Sequence, residues 1–234
     1  MLYTVLISAS PRLPHLHQNA LRHCRSLIEA GGQIKQVFFM HAATQMAVHS
    51  EAQQWADFAT EYQLELQTCI STAEQQQLNA NEYKQGFLQG GLSSLADSIL
   101  SSDAVLQIHE DIPLANEEPV LDKKNIAFVF STAPEQDSIA AQGVDLLLVL
   151  SAFDASLSVF FVGEGIQNLY PKESQPRYIK RFKALPDFEV TRCFIVAENE
   201  QAFLNASQDA SVTCDYLSQS EFVNLTKQSH TLCF

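Results

Sequence analysis

The sequence predicts two tandem α/β domains, each a three-layer α/β/α unit with a mainly parallel sheet of four to five strands. Three observations lead there. Apolar runs alternate with helical patterns along the chain. The same landmarks recur in the same order at an offset of about 123 residues. A stretch rich in proline and acid separates the two copies.

In the first half, Tyr3–Ser8 is an apolar run and reads as a first strand. The residues before it carry no basic flank and no small-residue cleavage site, so a signal peptide is not expected. A helix follows near His17–Ala30, with Ala20, Leu21, Cys24, Leu27 and Ile28 on one face. Gly31 and Gly32 stop it, as glycine does at helix C-termini. Next come a strand over Ile34–Met40, a helix near Glu51–Glu61 and a strand over Gln63–Thr68. The stretch from Thr72 to Leu100 has helical character, broken near Gly86 and Gly90-Gly91, which predicts two helices. A short strand, Ala104–Ile108, closes the half.

The second half repeats this plan. Val5-Leu6-Ile7-Ser8-Ala9-Ser10-Pro11 matches Ala127-Phe128-Val129-Phe130-Ser131-Thr132-Ala133-Pro134 in kind. Val37-Phe38-Phe39 recurs as Val159-Phe160-Phe161, and Leu64–Cys69 resembles Phe188–Cys193. Strands are expected at Ser211–Cys214 and Thr231–Phe234. Between the halves, Pro113 and Pro119 stand among Glu110, Asp111, Glu117, Glu118 and Asp122. Proline and like charge disfavour regular structure. The boundaries are therefore 1–108, a linker at 109–122, and 123–234.

Charge narrows the partners. The net charge is −13 and neither half is basic. A protein that grips nucleic acid needs a basic stripe to displace counterions, so direct nucleic-acid binding is not expected. The one positive cluster is Lys172, Arg177, Lys180, Arg181 and Lys183. It is either a solvated helical face or a docking patch for an acidic protein. No stretch of eighteen apolar residues exists, so no membrane span is expected, and the expected compartment is the cytoplasm.

The five cysteines (Cys24, Cys69, Cys193, Cys214 and Cys233) are scattered and contain no CxxC pair, which argues against a zinc site or a disulfide framework. No GxGxxG or GxxxxGK[ST] segment offers a phosphate cradle. Cys24 belongs to the apolar stripe of the first helix, and Cys214 and Cys233 lie at strands; all three read as structural. Cys69 differs. It falls just past the carboxyl end of a parallel strand, where open α/β sheets place functional groups. Ser71-x-x-Glu74 and Thr72-x-x-Gln75 after it are capping-box patterns that announce a helix N-terminus. Partial positive charge there would favour an exposed thiolate. Cys69 is thus a candidate nucleophile or an incidental loop cysteine. His41, just past the preceding strand, could support a thiolate on the same sheet edge or be an ordinary surface histidine. Cys193 aligns with Cys69 in a gap-free comparison, but its apolar run continues through Cys193-Phe194-Ile195-Val196-Ala197. On the strand-end criterion Val196 or Ala197 takes the place of Cys69.

These residues resemble the DsrE/DsrF family of sulfur-relay proteins. The first half resembles its TusD branch in Val37-Phe38-Phe39, in the phrase ending at Cys69, and in Gln85–Ala96 leading to Asp103–Gln107. The second resembles the TusC branch in Lys124–Pro134, in Leu157–Gly165 and in Arg177–Lys183. TusD-like sequences usually follow the cysteine with small residues and an Arg-Gly pair, where this chain has a glutamine-rich Ser71–Leu78. The resemblance implies two DsrE-like domains, the first TusD-like with Cys69 as sulfur acceptor, the second TusC-like and non-catalytic. It implies a sulfurtransferase that takes a sulfane sulfur as a Cys69 persulfide from a TusA-like donor and passes it to a TusE-like acceptor. The destination would be 2-thiolation of the wobble uridine in tRNA. A TusB-like subunit and oligomeric assembly are implied partners; no metal or organic cofactor is required. Two alternatives remain: a DsrE/DsrF-type relay in dissimilatory sulfur oxidation, and a non-catalytic assembly module in which Cys69 is incidental.

Overall fold

The computed structural model of the chain describes residues 1–110, 124–134, 139–153, 155–170, 176–208 and 210–234. The chain divides into two compact units, Met1–Pro119 and Val120–Phe234. Nearly all of the expected linker lies outside the described residues.

The first unit runs β1 (Leu2–Ile7), α1 (Pro14–Glu29), β2 (Gln33–Phe39), a 3-10 helix (His41–Val48), α2 (Ala52–Tyr62), β3 (Leu66–Cys69), α3 (Ile70–Gln75), β4 (Phe87–Gly90), α4 (Leu92–Ser101) and β5 (Ala104–Ile108). The five strands are parallel, in the order β4-β3-β2-β1-β5. Helix α1 begins three residues before the expected start, because Pro14 is tolerated in the first turn, where no backbone N–H is needed. Its Ala20, Leu21 and Cys24 are buried, as the apolar stripe requires. Gly31 ends the segment at φ +88. Helix α2 stops at Gln63 in a left-handed conformation, so β3 begins only at Leu66. The core on the α1 and α2 side centres on Trp55, which meets Phe39 and Phe58 edge-on at 5.2 and 6.0 Å.

In the first unit, the segment after α3 departs from the sequence expectation. The segment read as two helices contains the short α3, then strand β4, then α4. Local pattern could not reveal β4, because its ladder partner is β3, in the register Leu66↔Phe87 to Cys69↔Gly90. Gly86 at φ +90 turns the chain into it, and Phe87 packs on Phe39 at 5.2 Å.

The second unit runs β6 (Asn125–Phe130), α5 (Ile139–Ser151), β7 (Ser156–Val162), a 3-10 helix (Gly163–Leu169), α6 (Pro176–Lys183), a 3-10 turn (Leu185–Phe188), β8 (Cys193–Val196), α7 (Glu200–Ser207), β9 (Asp215–Leu217), α8 (Gln219–Lys227) and β10 (His230–Cys233). Its sheet is also parallel, in the order β10-β6-β7-β8-β9. Read from the other end, this is the topology of the first sheet. The strand expected at Ser211–Cys214 starts instead at Asp215, where pairing with Phe194 begins. One side of the core is a stack of rings: Phe128 lies on Phe234 at 5.5 Å and Phe130 on Phe161 at 5.7 Å. Gly143 admits Phe234, since a Cβ there would stand 2.5 Å from the ring. Helix α8 opens with a full capping box between Ser218 and Glu221.

Candidate functional site

In a parallel sheet all carboxyl ends share one edge, and in the first unit that edge carries both candidate residues. Phe39 of β2 pairs with Thr68 of β3, so His41 and Cys69 follow neighbouring strand ends. Cys69 is the last residue of β3 and also the N-cap of α3. His41 opens the 3-10 helix after β2 in a left-handed conformation, φ 53. Gln76, capping α3 at its far end, donates its side-chain N–H to the His41 carbonyl at 3.1 Å. The link between the two segments runs through the His41 main chain, a role sequence patterns could not assign to Gln76.

Two expectations about Cys69 are corrected. The thiol is not exposed: Cys69 is 2% accessible. Ser71 and Thr72 are not N-caps either; they lie inside α3, whose cap is Cys69 with no side-chain capping bond. The reason is that β3 runs one residue farther than the polarity pattern suggests, and α3 turns at once over the strand end. Thr72 and Ala73 pack inward, while Ile70 is 38% exposed. Cys69 Sγ lies 3.5 Å from Ser71 Oγ. Across the ladder its neighbour is Gly90, where a Cβ would meet Gln67 Oε1 at 2.3 Å and Gln67 Cβ at 2.9 Å.

The other cysteines are packed. Burial pushes the Cys24 thiol up to about 12. Cys193 is likewise pushed up to about 12, by burial first and then by the Asp215 carboxylate. Burial raises Cys233 to about 11, and it also raises Cys214. Register decides the equivalence of the repeats. Phe39 pairs with Thr68 in the first sheet; its counterpart Phe161 pairs with Ile195, and Val162 with Val196. Val196, the last residue of β8, therefore holds the place of Cys69, while Cys193 opens the strand at its opposite end.

The corresponding edge of the second unit is closed by Asn168, which is fully buried. Its side-chain N–H groups donate to the carbonyls of Thr132 and Gly165 at 2.7 Å each, and its Oδ1 accepts from the Tyr178 hydroxyl. Gly165 cannot be replaced without movement, since a Cβ would stand 1.8 Å from the Phe130 carbonyl oxygen. Of the basic cluster, Lys180, Arg181 and Lys183 fall in the last turn of α6, and Arg181 pairs with Asp145 at 3.0 Å. Lys172 lies outside the described residues. Among the described residues no group of three His, Cys, Asp or Glu is arranged to hold a metal, and no helix is long and apolar enough to cross a membrane.

Comparison with known proteins fits this geometry. The model of the DsrE/DsrF-like family matches residues 124–233. Protein TusC of Buchnera aphidicola subsp. Baizongia pistaciae is 37% identical over 112 residues, covering 45% of this chain and 94% of that protein. The chain belongs to the DsrE/DsrF-like family. Protein TusC of Klebsiella pneumoniae subsp. pneumoniae is 36% identical over 81 residues, 32% of this chain and 68% of that protein. Among solved structures, the ychN protein from E. coli is 21% identical, covering 46% of this chain and all of that one, with a TM-score of 0.41. In this DsrE/DsrF-like chain the stretch matched by the family model ends β8 on Val196; Cys69 belongs to the other unit.

Proposed function

We propose that this DsrE/DsrF-like chain is a sulfur-relay sulfurtransferase subunit that carries sulfane sulfur as a persulfide on Cys69. The observation that carries the reading is the position of Cys69 at the carboxyl end of β3, at the junction with α3. That is where parallel α/β sheets hold reactive groups. Kinship with TusC proteins supports a relay role, and the first half's resemblance to TusD supports a fusion of two relay subunits, with Cys69 as acceptor and the second unit as a non-catalytic partner.

The chemistry is thiol–disulfide exchange. The Cys69 thiolate attacks the outer sulfur of a donor persulfide, forming a new S–S bond as the donor's thiolate leaves. An acceptor thiolate then attacks the outer sulfur on Cys69, and the Cys69 thiolate leaves. No electrons are gained or lost overall. Because the thiol is covered, each exchange requires α3 to lift. A helix of six residues has little stability of its own, and a docking protein can displace it. The donor is a TusA-like carrier and the acceptor a TusE-like protein, with tRNA wobble-uridine 2-thiolation as the destination. The acidic charge suits a relay between proteins that does not itself hold the tRNA.

Intact-mass measurement after incubation with a persulfide-loaded carrier tests this. A gain of one sulfur atom in the wild type that is absent in Cys69→Ser is expected. No gain in the wild type defeats the reading. A second reading is favoured by one observation: at 2% exposure, Cys69 suits a packed residue of a non-catalytic assembly module. On that reading Cys69→Ser supports tRNA thiolation as well as the wild type does.

A further inference from the structure

We propose that Cys193 and Cys214 form a second, redox-active thiol site, which closes into a disulfide joining β8 to β9. The register carries the proposal. Phe194 pairs with Asp215, Ile195 with Tyr216 and Val196 with Leu217. The ladder starts at Phe194 and Asp215, so Cys193 and Cys214 are the residues that immediately precede its first pair, and one further step of the same register would set them opposite each other. Residues opposite each other on neighbouring parallel strands project to the same face, and the strands lie about 4.8 Å apart. A disulfide needs Cα atoms roughly 4.4–6.8 Å apart, a range that strand spacing satisfies for two residues that continue this register. The two thiols also sense each other: after burial, Cys193 is the next influence raising Cys214.

The surroundings permit closure. Cys193 is anchored, lying inside the β8 ladder opposite Val159 and 1% exposed. Cys214 is 9% exposed and precedes the first residue of β9, so its backbone is not held by that ladder. Strand β9 has three residues and forms the edge of the sheet. Small movements at such an edge can bring the Cβ atoms to the roughly 3.5–4.5 Å that the bond requires.

The oxidant is a small-molecule disulfide of the glutathione class. The more exposed thiol, Cys214, loses its proton to solvent and attacks one sulfur of the oxidant. This forms a mixed disulfide and releases one glutathione thiolate. Cys193 then loses its proton and attacks the Cys214 sulfur, expelling the second thiolate. Two protein thiols are oxidised and one disulfide is reduced to two thiols. Burial makes both steps slow. The product ties the edge strand covalently to its neighbour across residues 194–213 and restricts the unfolded chain.

The test uses the full chain bearing Cys69→Ser, so that its outcome is independent of the persulfide reading. The protein is incubated with glutathione disulfide, capped with N-ethylmaleimide and digested without reductant. The expected product is a peptide pair joining Cys193 to Cys214, with an intact mass lower by two hydrogens (about 2 Da) and restored by dithiothreitol. With Cys193→Ser added, the reaction should stop at a glutathione adduct on Cys214. Cross-links that join other cysteines instead overturn the proposal. So does full alkylation of both Cys193 and Cys214 after prolonged oxidation. The peptide map without the Cys193→Ser change decides the matter even if that variant does not fold.

Discussion

Trp55 donates its indole N–H to Nδ1 of His17 at 3.3 Å, in the interior of the first unit. That bond assigns the ring: Nδ1 is the acceptor, so Nε2 carries the proton and donates to the carbonyls of Ala9 and Ser10 at 3.2 and 3.1 Å. A neutral histidine thereby pins the turn after β1 to α1 and α2.

Burial holds His17 below its ordinary value of 6.5, opposed by its bonds to Ser10 and Ala9; His49 lowers it further and Glu51 raises it. A depressed histidine stabilises the fold fully above about pH 6.5. As pH falls below that value the unfolded chain takes up a proton that the folded ring refuses, and stability declines by up to about 1.4 kcal/mol per pH unit until the folded value is reached. Trp55 is the only tryptophan, so its fluorescence reports this region. Urea midpoints followed by Trp55 emission should fall between pH 6.5 and 5.5, and less steeply in His17→Gln.

Gln76→Ala should make Cys69 more reactive. The change removes the bond from α3 to the His41 carbonyl while leaving β3 intact. A neutral hydrogen bond contributes about 1 kcal/mol, so alkylation limited by opening of α3 should accelerate about fivefold. Timed N-ethylmaleimide labelling with peptide mapping of Cys69 measures it; an unchanged rate would mean that α3 does not gate the thiol.

Gly90→Ala should destabilise the first unit by about 1–3 kcal/mol. Rotating the Gln67 amide relieves the contact with Oε1, but the contact with Gln67 Cβ at 2.9 Å remains. Strand β4 must therefore shift against β3 beside Cys69. The double variant Gly90→Ala with Gln67→Ala should recover only part of the loss in thermal melts.

Asn168→Ala should lower the stability of the second unit by about 3 kcal/mol, because it leaves the buried Tyr178 hydroxyl and two carbonyls without partners. Tyr178→Phe should be milder, near 1 kcal/mol. Combined, the two should cost less than their sum, since the orphaned hydroxyl is then gone. Denaturation followed by circular dichroism would show the coupling.

Much of the architecture was legible because it rests on local pattern. The apolar stripe of α1, the glycines that stop it and the near-continuous apolar runs of β1, β2 and β5 are properties of adjacent residues. So is the repeat, whose matching landmarks became two sheets of one topology. The strand-end criterion also separated Cys193 from Cys69 correctly, because an apolar run shows where a strand continues.

What sequence by itself determined, then, was the duplicated parallel α/β plan and the placing of Cys69 at the end of the third strand. Tertiary structure alone decided the rest. Strand β4 exists because β3 offers it an open edge, and pairing partners distant in sequence leave no local periodicity. The burial of Cys69 is a property of the packed junction of β3 and α3, where Thr72 and Ala73 are buried as well. Polar letters after a strand read as solvent, yet here they belong to a six-residue helix that buries Thr72 and Ala73. The register that sets Phe194 against Asp215, with Cys193 and Cys214 just before them, is likewise a relation between strands that neither strand's own composition encodes.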